Sequence, residues 1–228
     1  GEGWPDGRYV KVGTETKTVD VVSDALESVQ PQPAEWLNKD CLSIAKPQSI
    51  AVQFPDPTNS WKLTRASETN DWELADAKPG EKLDTTKISS VTSPFSSVNF
   101  SDVAPLKKTS LAHSTVLTIE TFDGFEYTAK IGAKQDDNYP VTFTVSANLP
   151  AERPAPKDAK PAEKAKLDQA FKAEHDRLTA KLAKEKAYEG WVYYLPTYSV
   201  DELLKTRAQL LEKPKKAVST ATTKKSGP

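Results

Sequence analysis

From Val116 to Ile131 apolar and polar residues alternate along two runs separated by Asp123-Gly124. Leu117 and Ile119 alternate with threonines on the way out. Phe125, Tyr127 and Ala129 alternate on the return, which ends at Ile131-Gly132. A period of two puts every second side chain on one face, so each run reads as a half-buried strand. Gly124 tolerates the positive φ of a tight hairpin turn. Val141, Phe143 and Val145 repeat the pattern after the polar stretch Gln135 to Pro140. A chain with this segment at its centre is constrained to antiparallel sheet.

The flanking sequence extends the pattern. Ser49 to Phe54 alternates around Ile50, Val52 and Phe54; Trp61-Lys62-Leu63-Thr64 and Trp72-Glu73-Leu74 follow across polar turns. Three short runs in a row predict a meander. Asp84 is a suitable N-cap, with Ile88, Val91 and Phe95 at helical spacing behind it and Pro94 cutting the helix short. Val98, Phe100 and Val103 read as a strand or extended edge. Near the start, Tyr9, Val10 and Val12 face Val19, Val21 and Val22 as a hairpin, followed by a helix start at Ser23-Asp24 and a short turn carrying Trp36. The expected class is α+β, with meander-like antiparallel sheets covered by short helices.

The region 151–188 breaks this rhythm. Residues 150–160 are rich in Pro, Ala and Lys and read as a linker; residues 161–188 read as one long helix. Leu167, Phe171, Leu178 and Leu182 form a narrow apolar stripe, with His175 on the same side. Such a stripe needs something to pack on, and these four residues are the candidate partner contact. Glu185, Lys186 and their neighbours read as a solvated face. Beyond the insertion, Trp191 to Leu195 is β-prone and Val200 to Leu211 reads as one helix. The stretch 214–228 reads as a disordered basic tail.

Two stretches resemble each other. Val19-Asp20-Val21-Val22-Ser23-Asp24-Ala25-Leu26 is a strand, a polar step and an acidic-started helix. So is Val192-Tyr193-Tyr194-Leu195-Pro196 followed by Val200-Asp201-Glu202-Leu203-Leu204. This suggests a duplicated module. Residues 1–45 would be the C-terminal part of a first module and 46–213 a complete second one, with 151–188 inserted into a hairpin loop. Insertions of that kind carry only a small logarithmic entropy cost. The absence of Met and the Gly1-Glu2-Gly3 start fit a chain processed or cut from a longer parent.

Chemistry is sparse. The net charge of −1 supplies no field for nucleic acid or an anionic membrane. Cys41 is the single cysteine, so it forms no internal disulfide and reads as a small core residue. His113 and His175 are the two histidines, neither near a nucleophile-elbow motif. Gln135-Asp136-Asp137-Asn138 lacks the glycine and distal glutamate of a calcium loop and reads as a turn. There is no phosphate-binding glycine pattern. Trp61, Trp72 and Trp191 alternate with apolar residues and are expected in the core, whereas Trp4 and Trp36 lie outside regular strands. The sequence therefore predicts no enzyme, no catalytic residues, no metal and no cofactor.

The ordered set Ser49-Ile50-Ala51-Val52, Trp61-Lys62-Leu63-Thr64-Arg65, Trp72-Glu73-Leu74 and Lys82-Leu83-Asp84-Thr85 resembles the bacterial domain of unknown function 4340 family. So do Asp123-Gly124, Lys130-Ile131-Gly132, Trp191-Val192-Tyr193 and Asp201-Glu202-Leu203-Leu204. The resemblance implies a repeat-containing cell-envelope protein, on the periplasmic face of a membrane-anchored parent whose anchor lies upstream. It also implies a protein partner, in some cases transporter-associated, and brings no catalytic or binding residues with it. The expected function is a non-catalytic scaffold or accessory subunit working through protein contacts. The alternative is an envelope glycan-binding module using exposed aromatics.

Overall fold

A computed structural model of the chain describes residues 7–14, 17–24, 26, 29, 33–108, 111–153 and 161–212. Trp4, residues 154–160 of the linker and the tail 214–228 lie outside the described residues, as does part of the helix expected after Ser23-Asp24. Two compact units are present, Gly1–Asn38 and Lys39–Pro228.

In the first unit, β1 (Arg8–Val10) and β2 (Asp20–Val22) pair antiparallel, with Tyr9 opposite Val21. Arg8 holds the segment that follows, its Nη1 donating to the carbonyls of Leu26 at 3.1 Å and Val29 at 2.6 Å. A 3-10 turn over Pro33–Trp36 carries the exposed Trp36.

The second unit is built on one eight-stranded antiparallel sheet. Its elements in chain order are β3 (Pro47–Gln53), β4 (Trp61–Thr64), β5 (Glu73–Leu74), α1 (Thr85–Ile88), β6 (Asp102–Pro105), β7 (Thr115–Thr121), β8 (Phe125–Ile131) and β9 (Asn138–Ala147). They are followed by α2 (Pro161–Lys186), β10 (Trp191–Pro196), α3 (Thr197–Val200) and α4 (Arg207–Leu210). The strand order β5-β4-β3-β7-β8-β9-β10-β6 joins two meanders edge to edge through β3 and β7. The class is α+β, as the alternation predicts. β9 and β10 pair antiparallel, so linker and α2 occupy a single hairpin connection.

One face of this sheet is the core. Opposed pairs on it include Ile50 with Leu63, Val52 with Trp61, Ile119 with Tyr127, Ala129 with Phe143, and Val141 with Tyr193. All ten are buried. The opposite face carries Lys62, Thr118, Thr128 and Lys130 on the same strands, as one-sided antiparallel sheets do. Leu42, Ile44, Val91, Phe95 and Phe100 are buried along with the inner face. Phe95 meets Phe143 edge-on at 5.2 Å, and Phe100 meets Tyr193 in the same way at 5.2 Å. Ile44 N donates to the Phe95 carbonyl at 3.0 Å. The stretch 39–45, which the sequence assigned to the first module, therefore belongs to the second unit.

Local chemistry explains where the helices depart from expectation. α1 is capped by Asp84, whose Oδ1 accepts from Thr86 N at 3.1 Å, but it ends at Ile88. The hydroxyls of Ser89 and Thr92 bond back to carbonyls three residues earlier, competing with helix propagation. The helix expected over Val200 to Leu211 is broken into α3, a 3-10 turn over Asp201–Leu204, and α4. Lys205 and Thr206 are extended between them. Lys205 offers its carbonyl to Trp61 Nε1 at 2.7 Å, and Thr206 starts α4 with a reciprocal capping pair to Gln209.

Candidate functional site

α2 is the feature that sets this sheet apart from a bare meander, and its C-terminal end is built into the core. Glu185 is only 5% exposed. Its Oε2 accepts from the Tyr127 hydroxyl at 2.7 Å, while Lys181 Nζ lies 3.8 Å from its other oxygen. The same ammonium sits 4.6 Å from the centre of the Phe125 ring, close enough for a cation–π contact. Just past the helix, Glu189 accepts from Val145 N at 2.8 Å, and the Tyr193 hydroxyl donates to the Tyr188 carbonyl at 3.0 Å. Burial, reinforced by Glu185, pushes the Tyr127 hydroxyl far above the ordinary phenol range. A phenol that stays protonated is a hydrogen-bond donor and not a nucleophile, so this cluster is a latch.

The other end of α2 differs. Residues 163–170 are all exposed. Arg153 Nη2 reaches Asp168 at 2.8 Å. Leu167 is 39% exposed, whereas Phe171, Leu178 and Leu182 are half-buried. All four candidate contact residues thus lie on this one helix. Glu185, read from sequence as solvated, is buried. It falls three residues after Leu182 and seven after Leu178, on their face, and that spacing was the available signal.

A second ionic cluster lies at the C-terminal segment. The buried Arg207 places Nη1 2.8 and 2.9 Å from the two Asp76 carboxylate oxygens and Nη2 2.7 Å from Glu81. Nη2 also donates to the Asp76 carbonyl at 2.9 Å. Hydrogen bonds from Arg207 and from Lys78 N pull the Glu81 carboxyl down to about 2. Nothing in the sequence singled out Arg207.

The remaining candidates do not converge. His113 sits on an exposed turn at φ +58°. His175 is half-buried on α2 beside Phe171, ring centres 6.3 Å apart. Among the described residues neither is hydrogen-bonded to a serine or threonine hydroxyl. Burial pushes the Cys41 thiol up to about 11, so it is protonated at neutral pH. Gln135 and Asn138 pair across a turn with Asp136 at φ +49°. No group of three or more His, Cys, Asp or Glu among the described residues is arranged to hold a metal. Trp61 is in the core, as expected. Trp72 is half-buried with the Arg65 guanidinium 4.8 Å from its ring centre. Trp191, expected in the core, is 44% exposed: it opens β10 opposite Pro105 of the edge strand β6, where neighbours exist on one side only.

Among known proteins, the family model described as Domain of unknown function (DUF4340) matches residues 1–116. The chain belongs to this family. No curated protein and no solved structure matches it. The match runs from the first unit through β3 to the start of β7 and stops before α2. No helix among the described residues is long and apolar enough to cross a membrane.

Proposed function

We propose that this protein is a non-catalytic scaffold or accessory subunit of the bacterial cell envelope, with α2 as the arm through which it meets a protein partner. The observation that supports this reading is the asymmetry of α2. One end is fixed by the Tyr127–Glu185 latch, and the other carries Leu167 on a wholly exposed stretch. A helix anchored at one end and exposed at the other presents side chains without costing the sheet its cover. The envelope assignment rests on the family resemblance.

The test is a photo-crosslinking residue at Leu167 in the native host, compared with one at Lys62 on the polar sheet face. A discrete adduct at Leu167, absent at Lys62 and abolished by Phe171→Glu at unchanged melting temperature, is the expected result. Equal labelling at both positions would rule out α2 as the contact.

A further inference from the structure

Residues 89–97 read Ser-Ser-Val-Thr-Ser-Pro-Phe-Ser-Ser. Val91, Pro94 and Phe95 are buried and the five serines are exposed. The chain reverses at Phe95, which holds φ +54°, a conformation that bulky side chains rarely adopt. Between this loop and the start of α3 lies an open pocket of about 170 Å³, with Ser93, Ser97, Tyr198, Ser199, Glu202 and Leu195 among its walls.

The chemistry of this wall is specific. Among the described residues, the hydroxyls of Ser93, Ser97, Tyr198 and Ser199 have no hydrogen-bond partner in the protein. Glu202 is bonded by Lys205 and by the Ser90 hydroxyl, so its charge is already matched. An anion would meet that carboxylate, and a cation would have to compete with Lys205 for it. What remains is a neutral, hydroxyl-lined hollow whose groups both donate and accept. Beside it the ring of Tyr198 is 71% exposed. An aromatic plate next to free hydroxyls suits a ring with an apolar C–H face and a rim of hydroxyl groups. The pocket is smaller than the roughly 300 Å³ and upward that encloses a drug-sized ligand, so it takes one ring of a longer molecule at an open surface.

We propose that this pocket is a binding subsite for one ring of a neutral saccharide. Tyr198 is its stacking plate, and Ser93, Ser97 and Ser199 are its hydrogen-bonding partners. The subsite is independent of the α2 contact and stands or falls separately from it.

The test titrates the isotope-labelled full chain with maltohexaose, cellohexaose and hexa-N-acetylchitohexaose, following backbone amide shifts. At least one probe is expected to move amides within 93–98 and 197–203, with a Kd on the order of millimolar. Tyr198→Ala should weaken that binding about tenfold or more without changing the melting temperature, since the side chain is exposed. Tyr198→Phe, which keeps the plate, should retain most of it. The proposal is overturned if no probe moves these amides up to about 20 mM, well above such a Kd. It is equally overturned if the shifts map elsewhere, if Tyr198→Ala binds as well as the unmodified chain, or if Tyr198→Phe loses as much as Tyr198→Ala.

Discussion

Glu185 is a carboxylate in the wrong place for a charged residue unless its partners hold it there. The Tyr127 hydroxyl and the Lys181 ammonium do so. Removing one partner leaves the other buried and unsatisfied, which costs more than the bond was worth. Tyr127→Phe is therefore expected to destabilise the fold by about 2 kcal/mol, read as a lower urea midpoint at unchanged slope. Glu185→Gln, which still accepts from Tyr127, should cost less than Glu185→Ala. The Arg207 cluster makes a different prediction because it titrates. The Glu81 carboxyl is held at about 2, below its ordinary 4.5. A depressed carboxyl contributes stability that is full above its unfolded-state value and lost as pH falls through its folded one. The melting temperature should thus drop on acidification from about pH 4.5 towards 2, and Glu81→Gln should flatten that drop. Equal slopes for the two proteins would show that Arg207 does not govern Glu81. Neither pairing was legible in the sequence, for one reason, although the helical spacing of Glu185 marked its face. Tyr127 and Glu185 are 58 residues apart, and Arg207 and Asp76 are 131 apart. Alternation and spacing report what lies on the same face of one element, and such long-range pairs form only when elements meet.

At the scale of elements the hairpin β7–β8 carries the most local information. Asp123-Gly124 between two alternating runs defines its turn, its register and its buried face together, and all three are present. Gly124 is needed twice over. Its φ is +82°, and an added Cβ would stand 2.6 Å from the Asn148 carbonyl oxygen. Gly124→Ala should cost about 1–3 kcal/mol, measurable by thermal melting. The short helices were harder to read, since their ends are decided by serine hydroxyls and by the demand of Trp61 for the Lys205 carbonyl. α2 was legible as a helix but not as a latch. From sequence the insertion is expected to be dispensable for the fold while carrying a partner contact. With Glu185 bonded to the sheet, replacing 151–188 by a four-residue turn removes the Tyr127 acceptor. The expected cost is about 3 kcal/mol, or roughly 6–12 °C in melting temperature for a chain of this size. Leu167→Glu, on the exposed end, should leave melting unchanged. An unchanged melting temperature on deleting 151–188 would mean the latch adds nothing to stability.

The whole molecule divides unevenly between its two units. Each buried apolar side chain of the described core, from Leu42 to Leu210, belongs to the second unit. In the first, Tyr9, Val19, Val21 and Trp36 are exposed. A two-stranded hairpin is at best marginal in water without a third strand or a helix against it. The eight-stranded sheet has a full inner face, and its outermost strands are short, two residues in β5 and four in β6, which limits edge-to-edge pairing with other chains. The family match, by contrast, spans the whole first unit and less than half of the second. Sequence likeness and compact units therefore follow different boundaries here. The second unit should carry essentially all the cooperative stability. A chain trimmed to residues 39–212 is expected to unfold in one transition, with a melting temperature within about 3 °C of the full chain, a shift worth roughly 1 kcal/mol. Its denaturant slope should be nearly as large, because the slope follows the surface exposed on unfolding. A trimmed chain that melts much earlier, or without cooperativity, would show that residues 1–38 complete the core of the sheet, and the division into a self-sufficient second unit would be wrong.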